Sequence, residues 1–574
     1  METGRPIAVK PFVQRIEEHC AELDRNELID TIVNIGLTRK PRERQAFLDE
    51  IGVRSTAVRV SDEIDLVLND VDALLEDIGS RSAAIADGSF WSDYPEQNDY
   101  SLDDDPPELT DEQTQELVLF FSEADSLFVA GRFADARRVY EPLLQLFRLQ
   151  DDGNGIDDNA VATDLDIREE RARYARCVYE TTRPESRTTA MVEAMDIVTR
   201  PDLWYHGAPE FEPMLSDVVN AYHGRMPGFD GFLDGWIRCL EASDLATERT
   251  QRLYLEAIAM ERGPSALSVV ARKWAGDRPV GYVEWISALV QQGEWSAVVG
   301  AAREALDRIP EDSREHQWSR AHAATAIVEA GEHLNDSTIV LDGRRAAFRV
   351  EPSDASLANL IEAASAAKHL QEELADAIEF LREQDAADAS VHAKALIIAG
   401  RLGETLAIAE NCEPLGWSYH DRSASLCFAA ILARRVLPNL ADYPVIRTLL
   451  YSNVAQLPRD ASSGSILIDY TIRGLHVTLD AEVEHEYVRW AEQIGLRRVD
   501  AIVSNLHRGA YERAAKVLVA LAERLIAEGR YREGQELVDE YRAKYNRHSA
   551  FKAELARVVK SSALQVGPQR GAAR

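Results

Sequence analysis

Several short stretches of this chain hold residue types that could do chemistry. In "EVEHEYVRW" (482–490), His485 and Glu486 stand as in a zinc-protease helix, but the position four residues after His485 is Arg489 rather than a second histidine. A metal there lacks its second imidazole, so a charged helix face is expected. His420 and Asp421 in "WSYHDRS" are a pair that can orient an imidazole, yet no nucleophile is tied to them, and a turn histidine is the reading. "LWYHGAPEF" and "AYHGRMPGF" share a Tyr-His-Gly phrase, read as two turns between helices, with paired ligand loops as the functional alternative. The acidic loop starting at Asp152 fails as a calcium loop, because Ile156 and Asp157 stand where an oxygen ligand and then glycine are needed. No phosphate-cradling G-x-x-x-x-G-K-[ST], no dinucleotide G-x-G-x-x-G after a strand and no G-x-S-x-G elbow occurs. No residue is therefore assigned a catalytic role, and no metal or cofactor is expected.

The richest set lies near the end of the sequence. Residues 501–560 carry twelve Lys/Arg and eight Asp/Glu, a local +4 in a chain of 574 residues with a net charge of −34. Arg524, Arg530, Arg532, Arg542, Lys544, Arg547 and Lys552, interleaved with Tyr531, Tyr541 and Tyr545, form a candidate binding face for phosphate or an acidic peptide. A solvated face of ion pairs is the alternative, as is docking on the chain's own acidic segment. The overall charge argues against wrapping nucleic acid with the whole molecule, since a phosphate backbone would be repelled.

These residues must be positioned by helices. "RGAYERAAKVLVALAERLIAEGRYREGQELVDEYRAKYNRH" (508–548) repeats one phrase: glycine, an aromatic two residues on, a small residue at five. Gly131, Gly293, Gly509 and Gly529 fit it, with Phe133, Trp295, Tyr511 and Tyr531 as the aromatics; Gly400 gives a weaker copy with Leu402. A left-handed glycine ends one helix, the aromatic wedges between two helices, and the small residue lets their backbones approach. One such hairpin cannot bury its own apolar face, so hairpins must stack.

The offsets resemble the second half of a tetratricopeptide repeat, with "QQGEWSAVVGAAREALDRIP" (291–310) the nearest copy. Gly534 and Val298 replace the usual alanine, and Asn546 replaces the closing proline. "GRRAAFRVEPSDASLANLIEAA" (343–364) and "RRVDAIVSNLHRGAYERAAKVLVALAERLIAEGR" (497–530) resemble the helical C-terminal region of bacterial SWIM zinc-finger proteins, over about residues 310–560. That family's C-x-C…C-x-H finger has no counterpart here, so the resemblance implies a helical scaffold module without the zinc site.

The expected fold is all-α: an irregular, tetratricopeptide-like solenoid of helical hairpins behind a small N-terminal helical domain. The expected organisation is an N-terminal domain over 1–87, an acidic linker over 88–110 and hairpins over 111–310. A C-terminal helical-repeat module follows over 311–560, with a disordered tail over 561–574. Thr110 with Gln113 predicts a capping box opening the hairpins. Phe90, Trp91, Tyr94 and Tyr100 in the acidic stretch suit a linker or a docking peptide. "DSTIVL" and "GSILIDYTI" have strand-like composition and fit buried helix or extended linker. Five scattered cysteines indicate neither a disulfide framework nor a zinc knuckle. No signal-peptide core or membrane-length apolar run is present, so the expected location is cytoplasmic. The expected function is a non-enzymatic scaffold that binds a protein partner in a helical groove; the alternative is a nucleic-acid accessory protein using the basic face.

Overall fold

Thr110 opens the first hairpin as the sequence predicts. In the computed structural model its hydroxyl accepts from the Gln113 N–H at 3.1 Å, and the Gln113 side chain accepts from the Thr110 N–H at 2.9 Å. The structure describes residues 60–86, 109–147, 165–195, 212–243, 247–311, 316–384, 389–410, 422–455 and 461–565, with residues 161, 245, 413, 414 and 417. All regular secondary structure among them is helical. Residues 1–59, residues 88–108 of the acidic linker, most of the loop starting at Asp152, the His420–Asp421 pair, the first Tyr-His-Gly phrase and residues 566–574 lie outside the described residues. Among those described, no helix is long and apolar enough to cross a membrane.

The chain divides into two compact units at Lys273–Trp274. In the first unit the helices are α1 (Val60–Ala86), α2 (Asp111–Val129), α3 (Phe133–Gln145), α4 (Ile167–Thr181), α5 (Arg187–Ala194), α6 (Leu215–Asn220), α7 (Phe229–Ala242), α8 (Glu248–Arg262) and α9 (Leu267–Trp274). The α1 stripe Ile64, Val71, Leu74 and Ile78 is buried, and α1 packs on α2 and α3 within this unit, with Gln113 donating to Asp77 at 2.7 Å.

The second unit begins with α10 (Val280–Gln292), α11 (Trp295–Arg308), α12 (Gln317–Leu334), α13 (Ser337–Val350), α14 (Asp354–Ala366), α15 (Leu370–Glu383), α16 (Ala389–Ile398) and α17 (Leu402–Ala409). It continues with α18 (Ser423–Val436), α19 (Pro444–Val454), α20 (Ala461–Gly474), α21 (Ala481–Ser504), α22 (Tyr511–Ala527), α23 (Tyr531–Lys544) and α24 (Ser549–Lys560). Both stretches of strand-like composition are helix, in α13 and α20. Arg320 on α12 donates to the Leu306 and Ile309 carbonyls at the end of α11, 2.7 and 2.5 Å away. Order runs past 560, because Ser562, Ala563 and Leu564 are buried.

Gly131, Gly293, Gly400 and Gly529 take φ between +71° and +78°, each closing a helix with the same two bonds. The glycine N–H donates three residues back and the next N–H five back, as from Gly293 to Val290 and Glu294 to Leu289. Asn335, Lys368 and Leu506 make the same closure at φ of +53°, +65° and +59°. The Gly509 copy needs correction. The left-handed corner lies three residues earlier at Leu506, and Gly509 sits inside the short 3-10 turn Arg508–Ala510. With the non-glycine corners included, α10–α11, α12–α13, α14–α15 and α16–α17 are four successive hairpins with corners at 293, 335, 368 and 400.

Small residues set the close crossings. A Cβ on Gly331 would stand 2.7 Å from the Val340 backbone nitrogen, and one on Gly343 2.7 Å from that of Val328, so α12 and α13 touch backbone to backbone. Gly534 likewise sits where a Cβ would meet the Ala522 carbonyl at 2.9 Å. Of the four aromatic wedges only Tyr511 is fully buried; Phe133, Trp295 and Tyr531 are half-buried. They pack along the seam: Phe133 edge-on to Phe128 and Tyr222, and Trp295 face-on to His333 with centroids 3.8 Å apart.

Candidate functional site

Of the cations expected to form the basic face, most are engaged within the chain. Arg524 is 2% exposed, paired with Glu492 and, at 2.9 Å, with Glu528. It is a core residue, placed inside by the apolar stripe of α22 that the sequence also shows. Arg530 pairs with Glu533 at 2.5 Å, Arg542 with Asp539 at 2.7 Å and Lys544 with Asp500 at 2.8 Å. The Arg530 and Lys544 charges are held by these partners, which raise both pKa values above their ordinary ones. Arg532, Arg547 and Lys552 have no ion-pair partner among the described residues; the first two are exposed and Lys552 is half-buried. Tyr541 and Tyr545 belong to the core, and Tyr545 donates to Asp500 at 2.7 Å.

Other arginines serve helix ends. Arg176, fully buried, donates to the Val219 and Gly224 carbonyls at 3.2 and 2.7 Å, closing the C-terminal side of α6. That bond fixes the second Tyr-His-Gly phrase, Tyr222-His223-Gly224, as a turn. Arg187 donates to Tyr179 and Pro227 carbonyls at 3.0 and 2.9 Å, and its guanidinium lies 4.2 Å from the Tyr179 ring. Arg434 donates to the Leu475 carbonyl at 2.6 Å, beyond α20. Arg498 donates to Pro414 at 3.0 Å over the Trp417 ring; burial and then Arg513 push its pKa down to about 10. The planar fork of arginine, five donors on one rigid group, holds two carbonyls in a fixed geometry that a compact ammonium on a flexible stem does not impose.

Buried carboxylates serve the opposite ends. Glu256 on α8 accepts from Leu215 and Ser216 N–H groups at 2.7 and 2.8 Å, capping α6. Glu523 on α22, 0% exposed, accepts from Val445 at 3.1 Å, Ile446 at 3.0 Å and Ala563 at 3.0 Å. Its carboxylate thus joins the first turn of α19 to the short turn Ala563–Gln565. Burial raises the pKa of both carboxyls, against the opposing pull of the N–H groups. These caps were not visible in the sequence, because each pairs a mid-helix glutamate with a helix start far away along the chain.

Two further clusters hold reactive residue types. Arg173 pairs with Asp125 at 2.5 Å, Glu169 at 2.6 Å and Glu170 at 3.0 Å, and Tyr140 donates to Asp125 at 2.5 Å. Burial first, and the Asp125 charge second, push the Glu170 carboxyl well above the usual range. Lys394, 1% exposed, donates to both Asp354 oxygens at 2.7 Å. The first cluster joins α2, α3 and α4 and leaves one Glu170 oxygen buried without a hydrogen-bond partner, whereas the second is a satisfied ion pair between α14 and α16.

What faces outward with recognition chemistry is aromatic. Trp318 at the start of α12 is 54% exposed, and its ring stacks on His322 one turn later, with centroids 5.8 Å apart. An exposed tryptophan beside an imidazole offers a wide apolar contact with a polar edge. His485 lies exposed on α21. No protein-family model matches this chain, and neither does any curated protein.

Proposed function

We propose that this chain is a non-enzymatic scaffold that binds a protein partner across its stacked hairpins, as a degenerate tetratricopeptide-like array. One observation carries the reading: Trp318 stands half out of the second of four successive hairpins, all built with the same left-handed corner. Of the seven cations of the expected binding face, Arg524, Arg530, Arg542 and Lys544 are paired with carboxylates of the same chain. The resemblance of residues 310–560 to the helical region of SWIM zinc-finger proteins supports a scaffold module in the same sense. A cytoplasmic setting goes with this proposal.

Tryptophan is over-represented where a partner is anchored, and its truncation at such a centre costs about 2 kcal/mol or more of binding. The experiment compares partners recovered from host lysate by the wild type and by Trp318→Ala, at low salt and at about 0.5 M. The partner should be retained by the wild type at both salt levels and lost from Trp318→Ala, whose circular dichroism stays unchanged. Binding that collapses between low and moderate salt in both proteins points instead to phosphate contacts. That alternative, nucleic-acid association, would rest on Arg532, Arg547 and Lys552, the three cations of the expected face without an ion-pair partner among the described residues.

A further inference from the structure

The segment after α24 is held in a manner unlike a helix packed on its neighbour. Ser562, Ala563 and Leu564 are buried, and Ala563–Gln565 form a single 3-10 turn against α22 and α24. Two side chains read its backbone. Glu523 accepts the Ala563 N–H at 3.0 Å, and the Tyr531 hydroxyl donates to the Leu564 carbonyl at 3.1 Å. Ala563 and Leu564 are buried, and Leu564 packs into the apolar core of the second unit.

Both reading groups have anchors that do not involve this segment. Glu523 keeps its bonds from Val445 and Ile446, and the Tyr531 oxygen accepts from Gln535 at 3.2 Å. Withdrawing Ser562–Gln565 therefore leaves a buried carboxylate with a free acceptor position, a hydroxyl with a free proton and an apolar recess, all still in place. A site whose donor and acceptor persist without the bound segment is pre-organised, and pre-organisation is what lets a short peptide bind at all. The small contact made by the segment, one turn with two apolar side chains, suits exchange.

We propose that Glu523, Tyr531 and the faces of α22 and α24 form a peptide-recognition slot that Ser562–Gln565 occupy as a displaceable plug. The slot takes a partner segment that offers one backbone N–H to a carboxylate, one carbonyl to a hydroxyl, and a small residue followed by an aliphatic one, as in Ser-Ala-Leu. Its use in partner capture rests on the scaffold reading; its existence does not. The plug then competes with any such segment and sets a threshold for binding.

The probe is a fluorescein-labelled peptide of residues 560–568, titrated against the full chain and against the full chain carrying Leu564→Asp, which evicts the plug by placing a charge in the recess. The peptide should bind the Leu564→Asp chain at least tenfold more tightly than the wild type, and adding Tyr531→Phe, which removes only the hydroxyl donor, should cut that gain severalfold. Equal binding to both chains, or no binding to a Leu564→Asp chain that keeps its helical spectrum, overturns the slot. Should that variant not fold, hydrogen exchange on the wild type decides. Amides at 562–565 exchanging a hundredfold faster than those of α22 support a plug that opens locally, whereas equal rates mean the segment is integral core and the proposal fails. Failure here leaves the hairpin reading standing, because that is tested at Trp318.

Discussion

Replacing Glu523 with alanine should loosen the start of α19 more than any other part of the chain. The carboxylate accepts three backbone N–H groups, from Val445, Ile446 and Ala563, at a site with no solvent exposure. A buried N–H left without its acceptor costs about 1–3 kcal/mol, so three set a gross loss of about 3–9 kcal/mol. Relief from burying a carboxyl whose ionised form is disfavoured offsets part of it. The expected net loss is about 3–5 kcal/mol, or two to four orders of magnitude in a local opening constant. Glu523→Gln keeps one oxygen but turns an NH₂ toward the donors, and should lose about 1–3 kcal/mol. A chain of two units need not unfold in one step, so a global midpoint is the wrong readout. Hydrogen exchange of residues 444–454 reads the effect locally, with α4 of the first unit as internal control. Exchange at 444–454 within threefold of wild type in the alanine variant would refute the reasoning, since the three bonds would then contribute nothing that water cannot supply.

Arg320→Lys should behave almost like Arg320→Ala, each losing about 2–4 kcal/mol in a chemical-denaturation profile of the second unit, because a compact ammonium lacks the planar fork whose one nitrogen serves the Leu306 and Ile309 carbonyls while the other serves Glu311; full rescue by lysine would mean charge alone matters. Glu170 has a folded pKa above its ordinary value of 4.5, so its contribution is present below that value and is lost as pH rises through the raised one. The thermal midpoint of the first unit should accordingly be higher near pH 5.5 than near 7.5, and Glu170→Gln should flatten that slope; an unchanged slope assigns the proton elsewhere. Leu506 is 58% exposed at φ +59°, where a side chain costs about 1 kcal/mol, so Leu506→Gly should stabilise the α21–α22 corner by roughly 0.5–1 kcal/mol, read as slower hydrogen exchange there. Tyr511→Ala should cost about 3–5 kcal/mol and Tyr531→Ala less than half of that, since only the first ring is buried; equal losses in urea titrations would contradict the difference in packing.

The helices and the glycine corners were legible in the sequence because both are local: a capping box, an apolar stripe and a left-handed glycine each act within a few residues. The full series of corners was not. Those at 293, 335, 368 and 400 lie 42, 33 and 32 residues apart, and Asn335 and Lys368 occupy two of them, so the glycines alone mark only part of the series. Leu506 hid a third corner and made Gly509 look like one. The candidate binding face was legible as composition only. Positive charge in α22 and α23 is countable, but whether Arg524 meets solvent or Glu492 depends on α21 packing against α22, which no spacing rule supplies. Wedge positions were found, while their depth was not, because burial of Trp295 depends on His333 from a different hairpin.

The two glutamate caps have a consequence for how the chain is made. Leu215 waits for Glu256, 41 residues later, and Val445 waits for Glu523, 78 residues later. At ribosomal rates of about 5–20 residues per second, the α6 start stays open for roughly 2–8 s and the α19 start for roughly 4–16 s after synthesis. Helices as short as Leu215–Asn220 and Pro444–Val454 are marginal alone, so neither has reason to persist on the nascent chain before its cap emerges. The starts of α6 and α19 are thus completed only after a later part of their own unit is made, and a chain stalled on the ribosome before residue 523 would leave the Val445 and Ile446 N–H groups to water.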